Sequence, residues 1–231
     1  MQDHNAPPLN PLPPVVWLLA LPMIAVELVL SLGEAGVVGG PNAIGWRISL
    51  FQRLAFSPDL MREMIESSRY PIQGLWRFVS YLFIHGDVTH AAFAVVILLA
   101  LGKYVGEVFR WWAVLVVFFG AGIVGALVMG AVPTIKAPLF GSYPGNYGLI
   151  GAFTFLLWVR LAGTGLNQLR AFTMIGFLLF GQMLFGILFG GGWEWVADIA
   201  GFCAGFLLSF VVSPGGWARV KARLRERKSG Y

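Results

Sequence analysis

The sequence predicts an all-α membrane protein: one bundle of six spanning helices, with short interfacial helices in a long first loop. Three observations carry that expectation. Of the 231 residues, 58% are hydrophobic and only 12% charged, with a mean hydropathy of +0.75. Soluble domains sit near roughly 45–50% apolar and 25% charged. Six apolar stretches approach the roughly 20 residues of helix that a hydrocarbon core of about 30 Å requires. Glycine is abundant, at 30 residues, as in helices whose backbones approach closely in lipid. The single cysteine, Cys203, excludes an intrachain disulfide and reads as a small packing residue in an apolar run.

Residues 1–13 are proline-rich and lack Lys and Arg, which argues for a disordered tail rather than a secretory signal. The membrane domain follows over 14–213, with spans expected at 14–33, 88–108, 111–132, 145–163, 169–190 and 194–213. The first and third spans read as clean; the sixth carries Glu194 and Asp198. Between the first two spans lies the long loop, 34–87. There Trp46, Ile48, Leu50, Phe51, Leu54 and Phe56 alternate with Arg47, Gln52 and Arg53. Leu60, Met61, Met64 and Ile65 then fall at helical spacing among Asp59, Arg62, Glu63 and Glu66. The pattern predicts amphipathic helices in the interface plane, Ser57-Pro58-Asp59 opening the second. The alternative is a small extramembrane subdomain.

Charge sets the orientation. Six of the sixteen basic residues lie between Arg219 and Lys228, so 214–231 reads as a membrane-proximal basic tail and not as a nucleic-acid site. With the N-terminus cytoplasmic, that side holds ten Lys and Arg against six opposite. The positive-inside rule then places both termini in the cytoplasm.

Trp76-Arg77-Phe78, followed by His85-Gly86-Asp87-Val88-Thr89-His90, resembles the first loop and second span of the rhomboid intramembrane serine proteases. Gly102 and Glu107 match the family's Gly and Glu at the close of that span. Downstream, Gly141-Ser142-Tyr143-Pro144 resembles the nucleophile loop, and Tyr147-Gly148-Leu149 the helix that follows it. Asp198-Ile199-Ala200-Gly201 with Gly205 resembles the helix that carries the base histidine. The likeness covers roughly residues 70–210 and implies the rhomboid bundle.

The chemistry of that family needs an alcohol beside a base and preplaced donors for the developing oxyanion. On this alignment His85 and His90 are kept, and four chemical positions are changed. Tyr143 stands for the serine, Pro144 for the following glycine, Ala94 for the asparagine of the second span and Asp198 for the histidine. A phenol of pKa near 10 is a poor acyl acceptor, proline has no N–H, and alanine offers no donor. A carboxylate near pKa 3.9 matches a serine proton poorly as a base. The resemblance therefore implies an inactive member, a pseudoprotease, with no catalytic residue at Tyr143, Asp198, Ala94 or His90. A dyad of Ser142 and His90 is the one surviving catalytic arrangement.

A carboxylate in mid-membrane usually faces the bundle interior and has a partner. We expect Tyr143 to donate a hydrogen bond to Asp198; the alternative is a hydrated Asp198 at the surface marked by Trp193-Glu194-Trp195. His85 and His90 lack the further ligands of a metal site, so neither metal nor cofactor is expected. Ala197, Gly201 and Gly205 form a small-residue stripe, as do Gly141 and Gly145, which predicts close contact between the fourth and sixth spans. Phe172, Phe177, Phe180, Phe185 and Phe189 on the fifth span face lipid or a partner. The resemblance implies a bacterial inner-membrane protein that binds membrane proteins through lateral helix faces without cleaving them, as adaptor, chaperone or quality-control factor. The alternatives are a permanent accessory subunit of a larger membrane complex and an active protease using Ser142.

Overall fold

The computed structural model describes residues 11–189 and 192–216. The chain there is helical: α1 (Pro14–Glu34), α2 (Trp46–Leu54), α3 (Pro58–Ser67), α4 (Ile72–Leu75), α5 (Arg77–Ser80), α6 (Val88–Val108), α7 (Trp111–Ala131), α8 (Tyr143–Ala162), α9 (Thr173–Phe189) and α10 (Glu194–Val212). Short 3₁₀ turns occupy Gly40–Gly45, Tyr81–Phe83 and Gln168–Phe172. Most of the two expected tails, and the last residue of the expected fifth span, lie outside the described residues.

Local signals set the helix starts. Ser57 caps α3, its hydroxyl accepting from the Leu60 amide at 3.3 Å, with Pro58 at the first helical position and Asp59 in the first turn. Asp87 caps α6 in the same way, its carboxylate accepting from the His90 amide at 2.9 Å.

Among the described residues, α1, α6, α7 and α10 are long and apolar enough to cross a membrane. The other two expected spans correspond to α8 and α9. Helix α8 has 20 residues but opens on Tyr143-Pro144-Gly145-Asn146, and α9 has 17. Helix α8 has little need of an apolar outer face. It lies between α6, α7 and α10, and every residue from Pro144 to Ala152 is buried.

That central position rests on glycine. A Cβ on Gly205 would overlap the Gly148 backbone, one on Gly201 the Pro144 carbonyl, and one on Gly151 the Phe202 carbonyl. So α8 and α10 meet backbone to backbone, as the stripe on the sixth span predicts. Its complement on α8 differs from expectation: Gly145 packs against Phe118 of α7, and Gly141 lies against His90. Pro144, Gly148 and Gly151, spaced by three and four residues, form the face that meets α10.

The first loop is fastened to the bundle rather than simply laid beside it. Arg62 donates to the carbonyls of Gly130, Val132 and Ile135 at 2.8, 3.1 and 2.9 Å, closing the end of α7. Arg77 does the same for α2, donating to Ala55 O at 3.1 Å and Gln52 O at 2.5 Å, while Ser80 donates to Leu54 O at 2.8 Å. A cation at a helix C-terminus satisfies orphan carbonyls and complements the helix dipole. Phe56, Met61 and Met64 enter the same core as Phe118 and Met129 of α7.

The first span is less clean than its hydropathy implies. Glu27 lies buried on α1, and Arg47 of α2, expected on a solvated face, is buried against it. The Arg47 guanidinium donates to Glu27 at 2.8 and 3.0 Å, to Glu34 at 2.7 and 3.2 Å and to the carbonyl of His85 at 2.8 Å. Ser31 adds a hydrogen bond to Glu27 at 2.9 Å. The cation therefore joins α1, α2 and the turn that leads into α6.

Candidate functional site

The site forms where the starts of α6, α8 and α10 converge with α9. Asp87 caps α6, so His85 precedes that helix and His90 lies in its first turn. Gly141 precedes α8 with φ +100°, a conformation that suits glycine, and its N–H donates to Tyr81 O at 2.9 Å. This turn brings Ser142 over His85 and Tyr143 over His90.

The Tyr143 ring stacks on His90 with centroids 5.0 Å apart and planes 16° apart. His90 is held from behind, its Nδ1 accepting the Gly86 amide at 3.1 Å. Ser142 is fully buried. Its nearest imidazole is His85, not His90: Oγ lies 3.5 Å from His85 Nε2, which also accepts the Ser142 amide at 3.4 Å. Asn146, one turn along α8, donates to Ser142 Oγ at 3.3 Å and to Ala94 O at 2.9 Å. An amide thus stands next to the position where Ala94 has no side-chain donor, supplied by α8 instead of α6.

Asp198 is 2% exposed, which decides between the buried and hydrated alternatives. Its partner differs from the expected one. Gln182 of α9 donates from Nε2 to Asp198 Oδ2 at 2.7 Å, and Tyr147 donates its phenol proton to Gln182 Oε1 at 3.2 Å. Tyr143 makes no hydrogen bond to Asp198; ring stacking on His90 orients it instead. Both residues still border one cavity of about 300 Å³, together with His90, Phe140, Gln182 and Glu194. Ser142 and His85 do not line it. Three buried polar atoms at this junction, His85 Nδ1, Asn146 Oδ1 and Asp198 Oδ1, have no hydrogen-bond partner among the described residues.

The other motif residues have structural positions. Trp76 is exposed and Arg77 closes α2. Gly102 admits Val16 of α1 against α6, and Glu107 is exposed at the far end of that helix. Among the described residues no group of three or more His, Cys, Asp or Glu is placed to hold a metal ion. Sequence reasoning missed Asn146, Gln182, Glu27 and the buried role of Arg47. The signal for Gln182 was its being the one amide in the apolar run of α9; for Glu27, a lone acid in an otherwise apolar span.

Burial holds the His85 imidazole down to about 4, with the neighbouring His90 and Arg47 acting in the same direction against the pull of Glu27. The unfolded chain, with a histidine near 6.5, then binds the extra proton between those values. Stability from a neutral His85 is fully present above about pH 6.5 and is lost as pH falls toward 4, by about 3 kcal/mol at most. Thermal melts in detergent across that window, compared with His85→Gln, check this: the variant's slope is expected to be shallower.

These features define a multi-pass helical membrane protein with a polar site at the meeting point of its central helices. The rhomboid domain model matches residues 73–215, which is more than half of the chain, and the protein belongs to the rhomboid family. Comparison with curated proteins gave no match.

Proposed function

We propose that this protein is a rhomboid-like pseudoprotease that binds transmembrane segments of other membrane proteins without cleaving them. The role fits an adaptor, chaperone or quality-control factor. The observation that carries the proposal is the stack of Tyr143 on His90, which fills the expected seat of the nucleophile with a ring. The alcohol beside it, Ser142, is sealed away from the cavity. Asp198, which borders the same cavity, is engaged by Gln182 and has no alcohol hydrogen-bonded to it among the described residues. In this reading α8 and α9 complete a six-span bundle, with both termini cytoplasmic in a bacterial-type inner membrane.

One observation favours a second reading. Ser142 Oγ and His85 Nε2 lie 3.5 Å apart, a serine and a base that a peptidase would need to expose. Fluorophosphonate labelling of the full chain in nanodiscs separates the two. No labelling is expected; labelling abolished by Ser142→Ala and by His85→Gln would establish the peptidase. For the binding role, photo-crosslinkers placed on α9 and α10 are expected to capture intact membrane proteins with no cleaved fragments.

A further inference from the structure

The cavity beside Asp198 has a charge and hydrogen-bond pattern that neither the fold nor the absence of proteolysis accounts for. It presents two carboxylates, Asp198 and Glu194, and no Lys or Arg among the described residues that line it. Asp198 is 2% exposed, and its two oxygens are in different states. Oδ2 accepts from Gln182 at 2.7 Å, while Oδ1 is buried without a partner among the described residues. Gln182 does not turn to serve both, because Tyr147 holds its other end. A buried carboxylate oxygen with no donor is costly, and costlier in a membrane interior.

We propose that this cavity receives a protonated primary amine on an unbranched chain, with the Asp198 carboxylate that borders it as counter-ion. Resting on the client-binding reading above, the source is a lysine side chain on a client's membrane segment. An ammonium supplies three donors from one point charge, which suits one free oxygen with Glu194 nearby. A guanidinium favours the bidentate fork on both carboxylate oxygens, and Oδ2 is already taken. Tyr143 and Phe140 also line the cavity and supply aromatic surface for the methylene stem that carries the cation. The volume, about 300 Å³, is at the low end for a ligand pocket and fits a single extended side chain.

The test uses the full chain in phosphatidylcholine nanodiscs. n-Butylammonium, a mimic of the lysine side chain, is expected to raise the melting temperature saturably by a few degrees, and n-butanol is expected to have no effect. Asp198→Asn should remove the shift, and Glu194→Gln, at an exposed residue, should weaken binding. An equal shift with n-butanol, or a shift that survives Asp198→Asn, overturns the proposal. Should Asp198→Asn fail to fold, unchanged binding in Glu194→Gln overturns it.

A second arm identifies the source. A synthetic apolar helix with one lysine near its end should bind at least about tenfold tighter than its norleucine version, and the difference should vanish in Asp198→Asn. Equal binding of both helices overturns the ammonium site and leaves the client-binding reading standing. Binding of n-butylammonium with no binding of either helix does the reverse. An ethanolamine headgroup is then the source if phosphatidylethanolamine in the discs competes with the amine, and a soluble amine if it does not.

Discussion

Gly205→Leu is expected to abolish recovery of folded, monodisperse protein in mild detergent. Its Cα faces the backbone of Gly148, and a single added carbon already overlaps that chain. Overpacking usually costs about 1–3 kcal/mol because flexible side chains can yield. Here the obstacle is backbone, so the helices would have to separate along the seam that also seats Gly201 on Pro144 and Phe202 on Gly151. The loss is expected to exceed about 3 kcal/mol. Gly205→Ala should follow in the same direction with a smaller effect. The control is Gly176→Ala on α9, which meets nothing within 4 Å; gaining up to about 1 kcal/mol of helix propensity, it should be neutral or mildly stabilising. Size-exclusion profiles and melting temperatures provide the readout. A normal melting temperature for Gly205→Leu would mean that α8 and α10 are not in backbone contact.

The second large effect is expected at Arg47. Arg47→Met leaves the Glu27 carboxylate buried without its cation and frees the His85 carbonyl, which now accepts at 2.8 Å. Removing one partner of a buried pair costs about 3–5 kcal/mol, largely because the charge left behind has no compensation. Replacing both partners by apolar residues of similar volume is often neutral or better. The double variant Glu27→Leu with Arg47→Met should therefore recover most of the stability lost in Arg47→Met alone. The double-mutant cycle, measured by denaturation in detergent, decides. Strict additivity would show that the two residues do not act as a pair. Glu34, with its side chain 43% exposed, contributes far less, since a hydrated charge needs no partner.

Much of the fold is legible in the sequence because membrane helices follow from length and hydropathy. The starts of α3 and α6 are legible from Ser57 and Asp87, each capping its helix three residues before a bonded amide. The seam was half legible: Gly201 and Gly205 mark the face of α10, but periodicity alone assigned Gly141 and Gly145 to the facing helix, where Pro144, Gly148 and Gly151 serve. The positions of Tyr143, Asp198 and Ala94 came from motif spacing, and the structure gathers the first two around one cavity. Their partners were not legible. A hydrogen bond from Gln182 to Asp198 joins residues on different helices, and nothing local fixes the rotation of α9 that brings them together. Arg47 reads as surface in any amphipathic pattern, because its burial depends on Glu27 twenty residues earlier. Ser142 finding His85 rather than His90 turns on the geometry of one glycine.

The Gln182 bridge also has a mechanical consequence. The first half of α9 is seated by Ile175, Leu178 and Leu179 against Tyr147, Ile150 and Phe202. Phe177, Phe180, Leu184 and Leu188 point outward. Beyond the seated part, the polar tether among the described residues is one amide, contributing about 1–3 kcal/mol through bonds to a phenol and a carboxylate. Among the described residues, bending α9 outward beyond its seated half strains two hydrogen bonds and no interlocked backbone, whereas α8 and α10 separate only by opening their glycine seam.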